Sequence, residues 1–262
     1  MSIFDQKVIK YEMKPLSSLE KVFPDETPVY RMECQMLSGL WGETVSFQVA
    51  YTGDFVMRER LDVLAEHVHV RTVEMVPVGR ATNGIVDDNY LKTISGLYPD
   101  LLKDLKDGKV IVYSRQWRSL WVDVDITNEI PAGEYEIELQ LIKEGEVVCS
   151  AKQKVTVIGT ELPKLDIMHT EWMHADCLAD YYHVEVFSEE HWKLLGNYFQ
   201  EYVKRDCNTM LTPLFTSPLD TAIGLERTTC QLIDVEVKDG EYVFGFEKLK
   251  RWIDLCKKCG IE

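Results

Sequence analysis

Between about residues 30 and 158, polar and apolar side chains alternate with a period of two. The clearest examples are residues 43–51 and residues 120–126, where every second side chain is apolar. Residues 135–141 alternate in the same way, a Lys-Glu-Gly-Glu turn follows at 143–146, and residues 147–157 return as the next strand. The pattern predicts half-buried strands that follow one another as a meander, and an antiparallel β-sandwich domain over residues 30–158.

Two parts of this first half lack the alternation. Residues 1–29 are predicted to be a lead that precedes the sandwich. Residues 87–107 contain a Tyr-Pro-Asp break and no sustained period, and they are predicted to form a long loop. Residues 159–163 combine glycine and proline, which interrupt strand pairing, so they are the predicted linker to a second domain at residues 164–262.

The second domain mixes short apolar runs with helical periodicity. Residues 165–168 and 210–215 are predicted strands, and a Lys-Asp-Gly-Glu sequence at 238–241 predicts a hairpin turn. Ser188 is a good helix N-cap, and Phe187 and Trp192 have the spacing of a hydrophobic staple. Two apolar stripes at helical spacing predict helices that pack into a core; their members are Trp192, Leu195, Phe199, Tyr202 and Val203, and then Phe246, Leu249, Ile253 and Cys256.

The order strand, helix, strand, hairpin, helix matches the opening of a (β/α)8 barrel, but only two of eight repeats are present. The predicted fold class is therefore mixed β and α/β, with an N-terminal sandwich followed by the first two βα repeats of a TIM-like barrel. Parallel strands gain stability from neighbours on both edges. The sequence thus predicts a piece of a longer enzyme, or a chain that self-associates through unpaired barrel strands.

Charge and composition narrow the classes of function. The 262 residues include 29 basic and 44 acidic side chains, for a net charge of -15. Such a charge repels nucleic acid and anionic membranes, so neither is a predicted partner, and a neutral or cationic small ligand is favoured. The polar N-terminus and the lack of an apolar run of about 18 residues predict a cytoplasmic protein without a membrane span.

Seven cysteines, an odd number, fit a reducing compartment. Cys256 and Cys259 form the only CxxC, but no second pair and no nearby histidine complete a zinc site, and the pair ends a helix. A structural role is favoured over zinc or redox chemistry. His67 and His69 are interpreted as a solvated pair, and no metal or cofactor is predicted.

Residues that follow the predicted barrel strands are the candidate site, because βα units bind ligands at the carboxyl ends of their strands. Aromatic rings beside carboxylate and imidazole groups are typical of sugar sites. The candidate carbohydrate-binding residues are Trp172, His174, Asp176, Asp180, Tyr181, Thr216, Asp220 and Thr221.

Several of these residues have structural alternatives. Trp172 is as consistent with packing at the barrel rim as with ligand stacking, and Asp220 is as consistent with a helix or turn cap. His174 and Asp176 are two residues apart, so on a strand they point the same way and form a hydrogen-bonded pair or two metal ligands. His169 is interpreted as a satisfied strand histidine.

The same residues carry a family resemblance. Residues 171–182 (EWMHADCLADYY) and 211–221 (LTPLFTSPLDT) resemble the start of the barrel in bacterial proteins related to glycoside hydrolase family 123. Residues 121–126 and 131–135 resemble the β-sandwich domain that precedes that barrel. The resemblance implies hydrolysis of β-N-acetylgalactosaminides by substrate-assisted retention, in which the acetamido group of the sugar attacks and an adjacent Asp-Glu pair stabilises and protonates.

This sequence departs from that pattern, because no Asp-Glu pair follows Pro163 and the only one is Asp25-Glu26. No catalytic residue is carried over. The prediction is the N-terminal part of a glycoside hydrolase-like protein acting on N-acetyl-hexosaminide glycans, inactive as this chain alone. The alternative is a non-catalytic module that binds carbohydrate or a partner. The aromatic residues of the barrel mouth favour the enzyme lineage.

Overall fold

The computed structural model describes residues 10–29, 36–54, 58–82, 84–164, 166–216 and 221–261. The chain divides into two compact units, Met1–Leu162 and Pro163–Glu262. The described part of the first unit contains strands and no helix, whereas that of the second contains three helices and one hairpin. The chain is therefore mixed and mainly β, which confirms the predicted β-rich N-terminal part of the mixed β and α/β class.

The first unit is built from ten strands within its described residues. They are β1 Lys10–Ser17, β2 Met36–Trp41, β3 Thr44–Asp54, β4 Glu59–Ala65, β5 His69–Val78, β6 Gly96–Asp104, β7 Lys109–Val112, β8 Arg118–Asp125, β9 Gly133–Lys143 and β10 Glu146–Glu161. One sheet has the order β1-β3-β8-β5-β6 and the other has the order β2-β10-β9-β4-β7. Pairing is antiparallel except between β2 and β10.

The core of this unit lies between the two sheets. Phe47 and Leu120 of the first sheet join one apolar cluster with Leu139 and Leu141 of the second, and all four are at most 1% exposed. Their alternation along each strand follows from the period of two, since only every second side chain faces the other sheet. The unit is thus a two-sheet β-sandwich.

The connectivity of the sandwich differs from the predicted meander. β8 pairs with β3 and β5 in one sheet, whereas β9 and β10 belong to the other. The segment from 126 to 132 therefore crosses between sheets, and the Trp41 indole anchors it by donating to the Ile130 carbonyl at 2.9 Å. A period of two identifies the buried face of a strand but carries no information about which strand pairs with it.

Two further predictions for this unit were wrong. The predicted loop at 87–107 contains β6, a strand at the edge of its sheet that tolerates Pro99 because an edge strand has unpaired backbone groups. The predicted lead at 1–29 contains β1, which pairs with β3 along its whole length. β10 also continues to Glu161, beyond the predicted end of the sandwich at 158.

The second unit packs three helices around a small core. They are α1 Ala175–Tyr182, α2 Glu189–Val203 and α3 Glu247–Cys259, and a hairpin of β11 Asp234–Lys238 and β12 Glu241–Gly245 precedes α3. Leu195 and Phe199 of α2 are fully buried beside Trp252 of α3 and Leu232. None of the described helices is both long and apolar enough to cross a membrane.

Local signals in this unit were predicted well. Ser188 caps α2, with its hydroxyl oxygen accepting from the His191 N–H at 3.2 Å, and the Phe187 and Trp192 rings stack at 5.1 Å. The hairpin turns at Asp239 and Gly240, which both have positive φ as an Asp-Gly hairpin turn requires.

The two predicted barrel strands are not strands in the described residues. Residues 166–168 and 210–215 have irregular backbone, and Leu165 lies outside the described residues. Isolated bonds replace a ladder: the Asn208 and Thr209 N–H groups donate to the His169 carbonyl, and those of Leu232 and Ile233 donate to the carbonyls of residues 213 and 214. Pro213 lacks an N–H, and a ladder through it would lose a bond.

Candidate functional site

A cavity of about 140 Å³ lies in the second unit at the start of α1. Its walls come from α1 and the residues before it, from residues 211–216 and from residues 227–230. The side chains around it are Trp172, Met173, His174, Ala175, Asp176, Leu211, Thr212, Pro213, Phe215, Thr216, Arg227 and Cys230. Four of the eight sequence-predicted site residues therefore line one space: Trp172, His174, Asp176 and Thr216.

Asp176 and Arg227 form a buried ion pair at this cavity. Asp176 lies in the first turn of α1, where the helix dipole favours a negative charge. The Arg227 Nε donates to Oδ2 at 2.5 Å and Nη2 donates to Oδ1 at 2.9 Å, a bidentate contact. The two side chains are only 8% and 14% exposed, so the carboxylate is neutralised by its partner instead of by water.

The interpretation of His174 and Asp176 as neighbours on a strand was wrong. His174 is the N-cap residue of α1 and Asp176 is inside that helix, so their side chains do not follow strand alternation. The charged partner of Asp176 is Arg227, which is 51 residues away in sequence. His174 is half-buried and lines the cavity from the helix start.

Thr216 and Cys230 also line the cavity. The Cys230 N–H donates to the Thr216 hydroxyl at 3.0 Å, which joins the two segments that carry these residues. Burial, and to a smaller degree the negative charge of Asp176, raise the pKa of the Cys230 thiol to about 12. The thiol is therefore protonated at neutral pH and is a poor nucleophile.

Trp172 provides an accessible aromatic ring at this cavity. Its side chain is 66% exposed although it lines the space beside Asp176 and Thr216. An exposed indole beside hydroxyl, imidazole and charged groups has the chemistry to stack on a sugar face and exchange hydrogen bonds with its substituents.

The other predicted site residues lie elsewhere. Asp180 is one turn further along α1 and accepts from the Thr228 hydroxyl at 2.8 Å. Tyr181 is 75% exposed and packs edge-on against Tyr182 at 5.0 Å, away from the cavity wall. Thr221 is half-buried but does not line the cavity, and Asp220 lies outside the described residues.

Arg227 and Cys230 were missed by sequence reasoning. Arg227 did carry one signal: it is the sole basic residue between Arg205 and Lys238, in a stretch with several carboxylates. An isolated cation in such a stretch is a candidate for a buried pair. Cys230 carried no comparable signal, since its contact with Thr216 depends on the fold.

The cysteine and histidine pairs singled out in the sequence have the surroundings of structural residues. Cys256 is buried at 8% exposure, and burial raises its pKa to about 11; burial also raises the pKa of Cys259. The His69 ring lies 3.1 Å from the Asp104 carboxylate at the surface. In the described part of the chain, no group of three histidine, cysteine or carboxylate side chains has the arrangement of a metal site.

Comparison with known proteins identifies the family that this chain resembles. The profile described as "Glycoside hydrolase 123, catalytic domain" matches residues 172–262. A family 123 glycoside hydrolase from Clostridium perfringens, studied for glycolipid glycan hydrolysis, superimposes with a TM-score of 0.68 at 14% identity. The match covers 97% of this chain and 46% of that one, so this chain spans less than half of its length.

More distant structures also match in part. A β-glucosidase from Listeria innocua has a TM-score of 0.28 at 11% identity, covering 59% of this chain and 17% of that one. The CARDB domain of a Pyrococcus furiosus protein has a TM-score of 0.26 at 15% identity, covering 58% and 94%. Neither is close enough to inform the site. No curated protein matches the chain.

These findings show that residues 172–262 are similar to the catalytic domain of glycoside hydrolase family 123, and that the chain shares its fold with the Clostridium perfringens enzyme. The profile match and the structural match together confirm the resemblance carried by residues 171–182 and 211–221. The fold similarity to the Clostridium perfringens structure includes both units of this chain.

Proposed function

We propose that this chain forms the N-terminal sandwich and the opening part of the catalytic barrel of a glycoside hydrolase-like protein that acts on N-acetyl-hexosaminide glycans of the β-GalNAc type. One observation carries the proposal: the match to the family 123 catalytic domain begins at Trp172 and contains every residue that lines the candidate cavity. The glycolipid glycan hydrolysis of the Clostridium perfringens protein is consistent with this substrate class.

The cavity fits part of a sugar. Ligand pockets commonly have volumes of about 300–1,000 Å³, and about 140 Å³ is smaller than this range. Trp172 would stack against the sugar ring, while His174 and Thr216 would exchange hydrogen bonds with its substituents. One aromatic contact and a few hydrogen bonds support an affinity of about 1 mM.

The chain alone is proposed to be inactive. The family mechanism needs an adjacent Asp-Glu pair, and no such pair follows Pro163. The carboxylates closest to the cavity are already engaged, since Asp176 binds Arg227 and Asp180 accepts from Thr228. Both carboxylate oxygens of Asp176 accept hydrogen bonds from Arg227, so this group is already committed to an ion pair.

Two assays test the proposal. Purified chain is incubated with p-nitrophenyl N-acetyl-β-galactosaminide, and we expect no turnover. N-acetylgalactosamine is then titrated by NMR, with shifts expected at the Trp172 indole and loss of binding in Trp172→Ala. Tyr242→Ala is the control, because Tyr242 is 70% exposed on β12.

The outcomes separate the two parts of the proposal. Turnover that is abolished by Asp176→Asn would contradict the inactivity of this chain. Binding of N-acetylgalactosamine that is unchanged in Trp172→Ala, or no binding at tens of millimolar, would contradict the assignment of the cavity.

A non-catalytic binding module is the second candidate, and the apolar cavity of the sandwich favours it. Glycan-induced NMR shifts confined to residues 10–162 would support the module over the barrel site. We further propose a cytoplasmic location, consistent with the six free cysteines of the described residues. Cell fractionation with thiol alkylation would test it.

Self-association is also part of the proposal. Met168 and Phe215 are 85% and 54% exposed in the irregular segments where barrel strands were predicted. Sedimentation velocity is expected to show concentration-dependent association that Met168→Lys weakens. A single monomeric species at all concentrations would contradict it.

A further inference from the structure

The sandwich contains a second and larger cavity at one end, between its two sheets. It measures about 560 Å³ and is mostly apolar. Val155 and Val157 at its floor are 2% and 4% exposed, whereas Leu64 and Tyr135 at its mouth are 45% and 38% exposed. The cavity therefore connects the apolar core of the sandwich with solvent.

One wall of this cavity is a strand with an open edge. β9 pairs with β10 from Gly133 to Lys143, but β4 pairs with β9 only over residues 139–142. In the described part of the chain, no strand pairs with residues 133–138 of β9 on the side opposite β10. Half of the backbone N–H and C=O groups in this stretch are thus directed toward the unpaired edge of the sheet.

The register shows which groups these are. Lys143 and Glu146 close a two-residue turn and form a hydrogen-bonded pair. Successive residues of a strand direct their N–H and C=O groups to alternate sides, so the odd-numbered residues of β9 bond to β10. Glu134, Glu136 and Glu138 direct their backbone groups toward the open edge.

The side chains of β9 point alternately toward the core of the sandwich and away from it. Ile137 points inward with Leu139 and lines the cavity. The glutamate side chains point outward, and Glu66 lies at the adjacent cavity wall. Lys152 pairs with Glu136 at 2.5 Å, and Lys154 lies opposite Glu136 in the register. These two lysines offset part of the negative charge of Glu134, Glu136, Glu138 and Glu66, and the edge keeps a net acidic character.

We propose that this edge binds an extended peptide segment with alternating apolar and basic residues, which adds a strand beside residues 133–138. Its backbone would bond to Glu134, Glu136 and Glu138, and its inward side chains would fill the cavity. Its outward basic side chains would lie along the glutamates. The charge of -15 disfavours a second copy of this chain as the occupant.

Glutamates on an edge strand also protect against aggregation, which is a purely structural explanation. That explanation accounts for the charges but not for an apolar cavity that opens beside them. The two explanations differ in outcome, because protection predicts no sequence-dependent binding of a peptide.

The test uses the full 262-residue chain and the synthetic peptide Ac-KVKVKVKV-NH2. Binding is measured by calorimetry, and hydrogen exchange is expected to show protection of the amides of residues 134, 136 and 138. Ac-KKKKVVVV-NH2 has the same composition without the alternation, and we expect it to bind at least tenfold more weakly.

Two variants locate the contact. Glu136→Pro removes one N–H that is directed toward the open edge, and it leaves the hydrogen bonds of residues 135 and 137 to β10 in place. The affinity for the alternating peptide should fall about tenfold, the equivalent of one lost hydrogen bond. Glu136→Ala keeps that N–H and should have a smaller effect. Leu64→Trp fills the cavity mouth and should abolish binding, whereas Leu97→Trp on β6 is the exposed control and should not.

Several results would overturn the inference. They are no binding of the alternating peptide at millimolar concentration, equal binding of the block peptide, or binding without protection of the three amides. Glu136→Pro that folds and binds like the native chain would also overturn it. Peptide binding that survives in Glu136→Pro but is lost in Leu64→Trp would mean that the peptide occupies the cavity without adding a strand, and it would also overturn the inference.

Discussion

The two units of this protein satisfy their backbone in different ways. In the sandwich, two five-stranded sheets share one core, and long ladders such as β9 with β10 bond most of the chain. In the second unit, three helices form the core, and the segments predicted as barrel strands are joined by isolated bonds at residues 169, 213 and 214. Antiparallel strands that follow each other form a ladder locally, whereas parallel strands depend on distant neighbours.

The candidate sugar site lies in the less regular unit. Its cavity is held by contacts between separate segments: Asp176 with Arg227, and Cys230 with Thr216. In the sandwich, by contrast, continuous ladders of backbone hydrogen bonds hold the segments together. A single substitution should therefore disturb the second unit more selectively than the first.

The largest expected effect is the loss of Arg227. Arg227→Ala leaves the Asp176 carboxylate buried without its partner, and breaking such a pair costs about 3–5 kcal/mol of unfolding free energy. Chemical denaturation and hydrogen exchange are the measurements, with faster exchange expected in α1 and unchanged exchange in the strands of the sandwich.

A double variant provides the control for that prediction. Asp176→Asn with Arg227→Met removes both charges, so it should be more stable than Arg227→Ala alone. Equal destabilisation by the single and double variants would show that the ion pair is not what holds α1 to residues 227–230.

A core truncation in the sandwich should have a comparable but differently distributed effect. Leu139 is fully buried between the sheets, and Leu139→Ala should cost about 2–5 kcal/mol through lost burial and a cavity. Because β9 and β10 share a continuous ladder, faster exchange should extend across both strands. Effects confined to residue 139 and its neighbours would contradict the contrast between the two units.

The sequence predicted local structure better than it predicted partners. Alternation at residues 120–126 identified β8 and its buried face, but pairing with β3 and β5 instead of β9 depends on residues far away in the chain. Ser188 and Phe187 identified the start of α2 because capping involves residues only three to five apart.

The candidate site shows the same limit. Trp172, His174, Asp176 and Thr216 were predicted from their position after presumed strands, and they do share a cavity. The strands themselves were wrong, and Arg227 was missed because its contact spans 51 residues. Pairwise contacts over such a distance leave no periodic signal in a single sequence.

The pH dependence of the unfolding free energy should also differ between the two units. His191 is fully buried in the second unit; its Nδ1 accepts from the Phe187 N–H, and its Nε2 lies 2.9 Å from the Ala175 carbonyl, to which it donates. Burial lowers the pKa of His191 below its ordinary value of 6.5, although the Ala175 carbonyl and the Asp176 charge oppose the shift.

The sign of this effect follows from proton binding. Below about pH 6.5 the unfolded chain binds a proton that the folded chain excludes, so the stability of the second unit falls as pH decreases. Unfolding free energies at pH 7 and pH 5 should differ less in His191→Gln than in the native chain. An unchanged pH slope in that variant would assign the effect to other groups.

The smallest predicted effect concerns the start of α2. Ser188 accepts from the His191 N–H at 3.2 Å, so Ser188→Ala leaves that donor without its cap and should cost about 1 kcal/mol. Ser188→Asp keeps an acceptor at the same position and adds a charge that the helix N-terminus favours, and it should restore most of the loss.

Thermal denaturation followed by the helical circular dichroism signal measures both variants. If the contrast between the units is right, the melting of the sandwich strands should stay unchanged in both, because the cap acts within one turn of α2. A drop in the melting of the sandwich equal to that of the helices would mean that the two units unfold as one.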